Sequence, residues 1–207
     1  MFGVPFLSGA RTRGFILAML AYVDESYKRE GLEGTYLLGA TLLAEEQRER
    51  VSSIMLGYKP PRANKLHYVD LGRVAQAKVL QGIGLLPVST IVVIADRTHY
   101  KKQERARRKC LEILLPILEE GGVDVALLER RNVAQDGKDV QLAKAMRVKR
   151  AINHLMIEHV AGEDEPLLWI PDQVLGALRD VWSTNALPDD WLAAWDHVDK
   201  GVHIESI

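Results

Sequence analysis

Four acidic residues occupy positions that could do chemistry. Asp24 closes a run of nine apolar residues, Phe15 to Val23, Asp96 closes Ser89 to Ala95, and Glu129 closes Val123 to Leu128. Asp172 follows Pro171 at the expected start of a helix. A carboxylate at the end of a core strand is costly unless a metal, a cation or backbone donors compensate it. Phosphoryl chemistry on two metals needs several carboxylates converging on ions about 4 Å apart. Magnesium prefers hard oxygen ligands of this kind. Asp24, Asp96, Glu129 and Asp172 are therefore the expected ligands of Mg2+ or Mn2+, with Asp24, Glu129 and Asp172 also counted as catalytic. Taken singly, each acid is equally well read as a cap, and the helix dipole favours Asp172 where it stands. Taken together they punctuate one side of one sheet, which favours the metal reading.

His67 lies beside Lys65 and Tyr68 and before Asp70. A histidine near carboxylates can act as a general acid or base near neutral pH, and His67 is the candidate proton carrier. The competing reading is a hydrogen-bonded structural histidine. Lys65 is read either as a phosphate contact or as a solvated side chain. Glu25 points to the face opposite Asp24, which suits a salt bridge better than ligation. Asp139 is read as a helix cap.

The elements that must position these groups follow from hydrophobic patterning. The unbroken apolar run Phe15–Val23 and the segment Ser89–Ala95, apolar from Ile91, suit strands buried on both faces. Tyr36–Leu43 reads as a strand paired to the first through a polar loop, and Leu66–Val69 as a short third strand. Helices are expected over 44–56, 72–86, 101–120 with a kink at Pro116, 138–159 and 173–182. Hairpin strands followed by alternating strands and helices describe a mixed α/β sheet of about five strands with helices on both faces. In such sheets, sites form outside the C-terminal ends of the strands.

Four segments together resemble the domain of unknown function 3800 family: Asp24-Glu25-Ser26, Lys65-Leu66-His67, Leu128-Glu129-Arg130-Arg131, and Glu165 to Asp172. The resemblance spans roughly Tyr22 to Val181. It implies a ribonuclease-H-like fold, with Asp24 as the central strand ligand, Asp172 as the helix ligand, and Glu129 or Asp96 as the remaining carboxylate. Two positions depart from the pattern. Lys65 stands where many relatives carry an acid, which leaves room for altered or lost catalysis. Tyr27 stands where glycine is common.

The bulk properties narrow the class. The 207 residues are expected to form one domain, with a core over about 15–183 and a Trp-rich acidic tail over 184–207. A net charge of −1 predicts no general affinity for polyanions, so a nucleic-acid surface must be local. The local candidate is the run Arg97, Lys101, Lys102, Arg105, Arg107, Arg108, Lys109, which is read either as tracking a phosphate backbone or as a solvated helix face. The single Cys110 excludes an internal disulfide, and no Cys/His cluster has zinc spacing. Phosphate loops, dinucleotide fingerprints and serine-hydrolase elbows are absent from the sequence. The first fourteen residues, with Arg11 and Arg13, faintly imitate a signal peptide but lack a cleavage site, and no apolar run reaches the roughly 20 residues of a membrane span. A cytoplasmic protein is expected. The functional expectation is a metal-dependent nuclease. The alternative is a non-catalytic module that binds nucleic acid or a protein through its basic helix and Trp-rich tail.

Overall fold

A computed structural model describes residues 18–30, 33–183 and 186–207. The first three residues of the leading apolar run, and the segment with Arg11 and Arg13, lie outside them. The long apolar run becomes β1 (Met19–Glu30), which pairs antiparallel along its length with β2 (Glu33–Ala44). β3 (Ser89–Ala95) pairs antiparallel with β2. On the other side of β1, β4 (Val123–Glu129) and then β5 (Met156–Val160) pair in parallel. Three antiparallel strands continued by two parallel ones form the ribonuclease-H-like sheet, and its parallel crossovers carry helices as such connections require. A sixth strand, β6 (Val202–Ser206), extends the sheet in parallel beside β3, giving the order β5-β4-β1-β2-β3-β6.

Alternation along the strands sorts the core into two layers. Leu20, Tyr22, Leu37, Val92 and Leu127 pack under α5 (Trp169–Trp182) together with α1 (Arg48–Leu56), α2 (Arg73–Ile83) and α6 (Asp189–Asp199). Ala21, Val23, Leu38, Val93 and Leu128 pack under α3 (Gln103–Glu120) and α4 (Val133–Val148). α5 sits close to the sheet: a Cβ on Gly39 of β2 would lie 3.0 Å from the Leu175 side chain. Trp191 and Trp195 are buried with α6, so both tryptophans of the tail pin it to the domain, while Trp182 at the end of α5 stays exposed.

Several expectations change. β1 does not stop at Asp24. It runs six residues further along the hairpin, and the departure of β4 after Val23↔Leu128 is what opens space beside Asp24. Leu66–Val69 is not a strand; Tyr68–Asp70 forms a single 3-10 turn. The helix expected over 138–159 ends at Val148, and its last residues become β5. Arg150 adopts φ 59°, Ala151 N–H donates to the Met146 carbonyl and Arg150 N–H to that of Arg147. That double bond is a Schellman termination, with arginine in the left-handed position usually given to glycine. The Glu119 carboxylate then accepts the N–H groups of Asn153, His154 and Leu155, directing the chain into β5. α3 continues through Pro116 to Glu120.

Candidate active site

Strand parity brings the first two acids together. Asp24 follows Val23 on β1 and Glu129 follows Leu128 on β4, and Val23 and Leu128 are register partners. The next residues therefore lie side by side on the face that packs under α5, roughly one strand spacing of about 5 Å apart. Asp24 is 7% exposed and its carboxyl lies against that of Glu129. Asp172, in the first turn of α5, supplies the third carboxylate. Burial first, then the charges of Glu129 and Asp172 and the Glu129 hydrogen bond, hold the Asp24 carboxyl well above the usual carboxylate range. The Glu25 N–H, 2.7 Å from Asp24 Oδ1, opposes this only in part. Burial beside like charges favours the neutral form of such a carboxyl.

Asp172 is held by the 3-10 turn. Its Oδ1 lies 2.9 Å from His67 Nδ1, and its Oδ2 accepts the Tyr68 N–H at 2.7 Å and the Gln173 amide at 3.2 Å. A carboxylate partner makes Nδ1 the protonated nitrogen of neutral His67 and leaves Nε2 as the acceptor. The Asp172 hydrogen bond, against the effects of burial and Lys65, raises the His67 pKa. Tyr68 locks the turn in place: its ring lies where a Cβ on Gly176 of α5 would be, and its hydroxyl donates to Asp180 at 2.6 Å.

Lys65 reaches the same centre, with Nζ 2.8 Å from Glu129 Oε1. Burial would lower its pKa, but the Glu129 hydrogen bond and charge, followed by the charges of Asp24 and Asp172, raise it. The Glu129 carboxylate is confined from the other side by Gly162, whose carbonyl accepts the Trp169 indole N–H at 2.6 Å. Two clefts flank Glu129. One, of about 370 Å3, is lined by Asn64, Lys65, Arg130 and Gly162. The other, of about 220 Å3, is lined by Asp24, Glu25, Arg107 and Arg131.

Asp96 is not part of this cluster, contrary to its expected role as a ligand. Gly39 links Asp24 to Val92 across the sheet. Asp96 thus lies two strands away and about 13 Å further along at 3.3 Å per residue. It is exposed and accepts the Thr35 hydroxyl at 3.1 Å. Glu25, on the opposite face, pairs with Arg107. Asp139 is not a cap. It is buried within α4 and binds Arg107, Arg131 and His159. Arg107 therefore leaves the expected basic surface, being 3% exposed, while Lys101, Lys102, Arg105 and Lys109 stay exposed. Nothing in the spacing of residues announced this buried network.

By type, three carboxylates are donors that an oxygen-preferring divalent ion takes. As they stand, no three His, Cys, Asp or Glu side chains among the described residues are arranged to hold a metal ion. Glu129 is turned to Lys65 and Asp172 to the His67 turn. No helix among the described residues is long and apolar enough to cross a membrane.

No protein-family model matches the chain, and no curated protein matches it. Among solved structures, the ribonuclease H1 of the halophilic archaeon Halobacterium salinarum NRC-1 is similar at 14% identity and a TM-score of 0.29, covering 73% of this chain and 93% of that one. A likeness this distant bears on neither the residues nor their chemistry. What the strand order and the acidic cluster define is a ribonuclease-H-like α/β domain with three carboxylates gathered beside its central strand.

Proposed function

We propose that the protein is a metal-dependent phosphodiester hydrolase that acts on nucleic acid. The observation that carries this reading is the meeting of Asp24, Glu129 and Asp172 on one face of the sheet, with Asp24 buried against two like charges. Asp24, Glu129 and Asp172 would hold Mg2+ or Mn2+, which when bound supplies Lewis-acid stabilisation of charge on the phosphate and a more acidic water. Hydrolysis requires that a water oxygen bond to phosphorus as the bond to the leaving alcohol breaks. One water proton must pass to a base, and a proton must reach the departing oxygen. His67, oriented by Asp172, is the side chain placed to carry a proton. Arg130, exposed and lining both clefts beside Glu129, provides a cation for an anionic backbone. The exposed Lys101, Lys102 and Arg105 extend this basic character, because α3 begins at the end of the sheet where Arg107 meets Glu25. The resemblance to the domain of unknown function 3800 family points the same way.

The test is a calorimetric titration of Mn2+ into the wild type, Asp24→Asn and Asp172→Asn, with folding checked by circular dichroism. Binding by the wild type that both substitutions reduce at least tenfold is expected. Equal affinity in all three chains would refute the reading. The second reading, a binding module without catalysis, is favoured by one observation: Lys65 and His67 already engage two of the three carboxylates. It requires salt-sensitive nucleic-acid binding that ignores divalent ions and survives Asp24→Asn.

A further inference from the structure

We infer that the outer edge of β6 is a docking surface for a second copy of this chain, on which two β6 strands pair antiparallel about a two-fold axis at Ile204. β6 closes the order β5-β4-β1-β2-β3-β6, so among the described residues no strand lies beyond it. Such an edge presents a row of N–H and C=O groups ready to pair, and natural edges are commonly blunted by lysine, proline or a bulge. Val202-His203-Ile204-Glu205-Ser206 contains neither lysine nor proline, and its register with β3 runs unshifted from Thr90↔Val202 to Ile94↔Ser206. Ile204 is 44% exposed, and Glu205 and Ser206 are exposed with it.

The inner hydrogen bonds fix which backbone groups face outward. Thr90 N–H donates to the Gly201 carbonyl at 2.8 Å, and Ile207 N–H donates to the Ile94 carbonyl at 3.0 Å. Backbone direction alternates along a strand, so His203 and Glu205, between these two anchors, also turn their N–H and C=O groups toward β3. Val202, Ile204 and Ser206 turn theirs away from it. In an antiparallel pair, opposed residues that both face the partner exchange both bonds. An axis at Ile204 opposes these residues: Ile204 meets Ile204 of the partner subunit, and Val202 meets Ser206 of the partner subunit. Every outward backbone group of β6 is then paired.

The side chains are complementary in the same register. His203 falls opposite Glu205 of the partner subunit, and symmetry repeats the pair, so an imidazole meets a carboxylate on each side of the axis. These are the non-hydrogen-bonded positions, where opposed Cα atoms lie about 4.5 Å apart and side chains interact most closely. Both residues lie on the α3 side of the sheet, because their register partners Ile91 and Val93 belong to that layer. On the other face Ile204 covers the partner's Ile204, which removes exposed apolar surface from water. Moving the axis by one residue loses this match: at His203 it sets that residue against itself, and at Glu205 it opposes two carboxylates. Five residues of edge are few beside a standard interface, so a dimer of roughly micromolar affinity is expected.

The experiment is sedimentation velocity on the 207-residue chain over about 1 to 500 µM, with each variant shown folded by its thermal melt. Ile204→Pro deletes an outward N–H and leaves the bonds to β3 intact. His203→Glu sets two carboxylates against each other, and the double variant His203→Glu with Glu205→Lys restores opposite charges in the same register. The wild type is expected to dimerise, each single variant to weaken the dimer at least tenfold, and the double variant to return to within about threefold of the wild type. A wild type that stays monomeric throughout would overturn the proposal. A dimer that neither single variant weakens would place the contact on another surface and overturn it equally. A dimer weakened by His203→Glu but not recovered in the double variant would overturn the axis at Ile204. If Ile204→Pro fails to fold, the charge reversal and its rescue decide the matter alone.

Discussion

Replacing Asp139 by Asn removes the carboxylate on which Arg107, Arg131 and His159 converge. Asp139 is 5% exposed. Burial alone would raise its pKa, but the hydrogen bonds from His159 and Arg107 and the charges of Arg107 and Arg131 bring it down to about 2 from 3.8. A depression of that size corresponds to about 2 kcal/mol of folding stability at neutral pH. The substitution also leaves Arg107, 3% exposed, with Glu25 as its one remaining carboxylate. The expected loss at pH 7 is therefore about 2 to 4 kcal/mol, a large share of an ordinary domain's stability.

The sign of the pH dependence follows from the direction of the shift. The folded carboxyl is the stronger acid, so its contribution is complete above the unfolded value and is lost as pH falls toward the folded one. The window runs from about pH 4 down to about pH 2, with roughly half of the contribution gone by pH 3. The gap between wild type and Asp139→Asn should therefore narrow on acidification. Urea denaturation followed by tryptophan fluorescence at pH 7, 5 and 3 measures it. A gap below about 0.5 kcal/mol at pH 7, the range of ordinary surface substitutions, would refute the account of the network. So would a gap that stays constant down to pH 3.

Three further outcomes are expected. Gly162→Ala pushes a methyl into the Glu129 carboxylate, the mobile end of a side chain, so stability changes by only about 1 kcal/mol. Its Mn2+ affinity should nevertheless fall at least tenfold by calorimetry, and an unchanged affinity would mean Glu129 is not a ligand. Glu119→Ala strips the acceptor from the N–H groups of Asn153, His154 and Leu155 and should cost about 2 kcal/mol in a urea melt, whereas a neutral result would show that water replaces the carboxylate freely. Cys110 is fully buried and burial pushes its thiol up to about 12, so a thiol reagent at pH 8 should label it only as the chain unfolds. Rapid labelling of the native protein would contradict the packing of α3 against the sheet.

Much of the scaffold was legible in sequence because it is local. The apolar runs of β1, β3 and β4 announce buried strands by themselves. Period-two alternation then predicts that Asp24 faces away from Glu25. Asp96 shows the limit of that logic: it ends a core strand as Glu129 does, but pairing order puts β3 two places from β1. The end of α4 was hidden for a different reason, since its termination uses Arg150 where glycine would have signalled a stop. β6 was hidden because five residues of weak alternation, Val202 to Ser206, gain their strand state only by pairing with β3.

Lys65 and His67 were legible as candidates, but what holds them at the site was not, and Tyr68 shows why. Its N–H binds Asp172, its ring fills the space beside Gly176, its hydroxyl binds Asp180 and its carbonyl accepts the Gln76 amide. Each contact spans either about a hundred residues to α5 or the turn into α2, and none leaves a periodic trace between Gly57 and Gly72. Yet these contacts are what deliver Lys65 and His67, three residues and one residue earlier, to the carboxylates. The strands set where negative charge gathers. A single aromatic residue, held from four sides, sets which positive charges meet it, so a change at Tyr68 should disturb Lys65 and His67 together while leaving Asp24 and Glu129 in register.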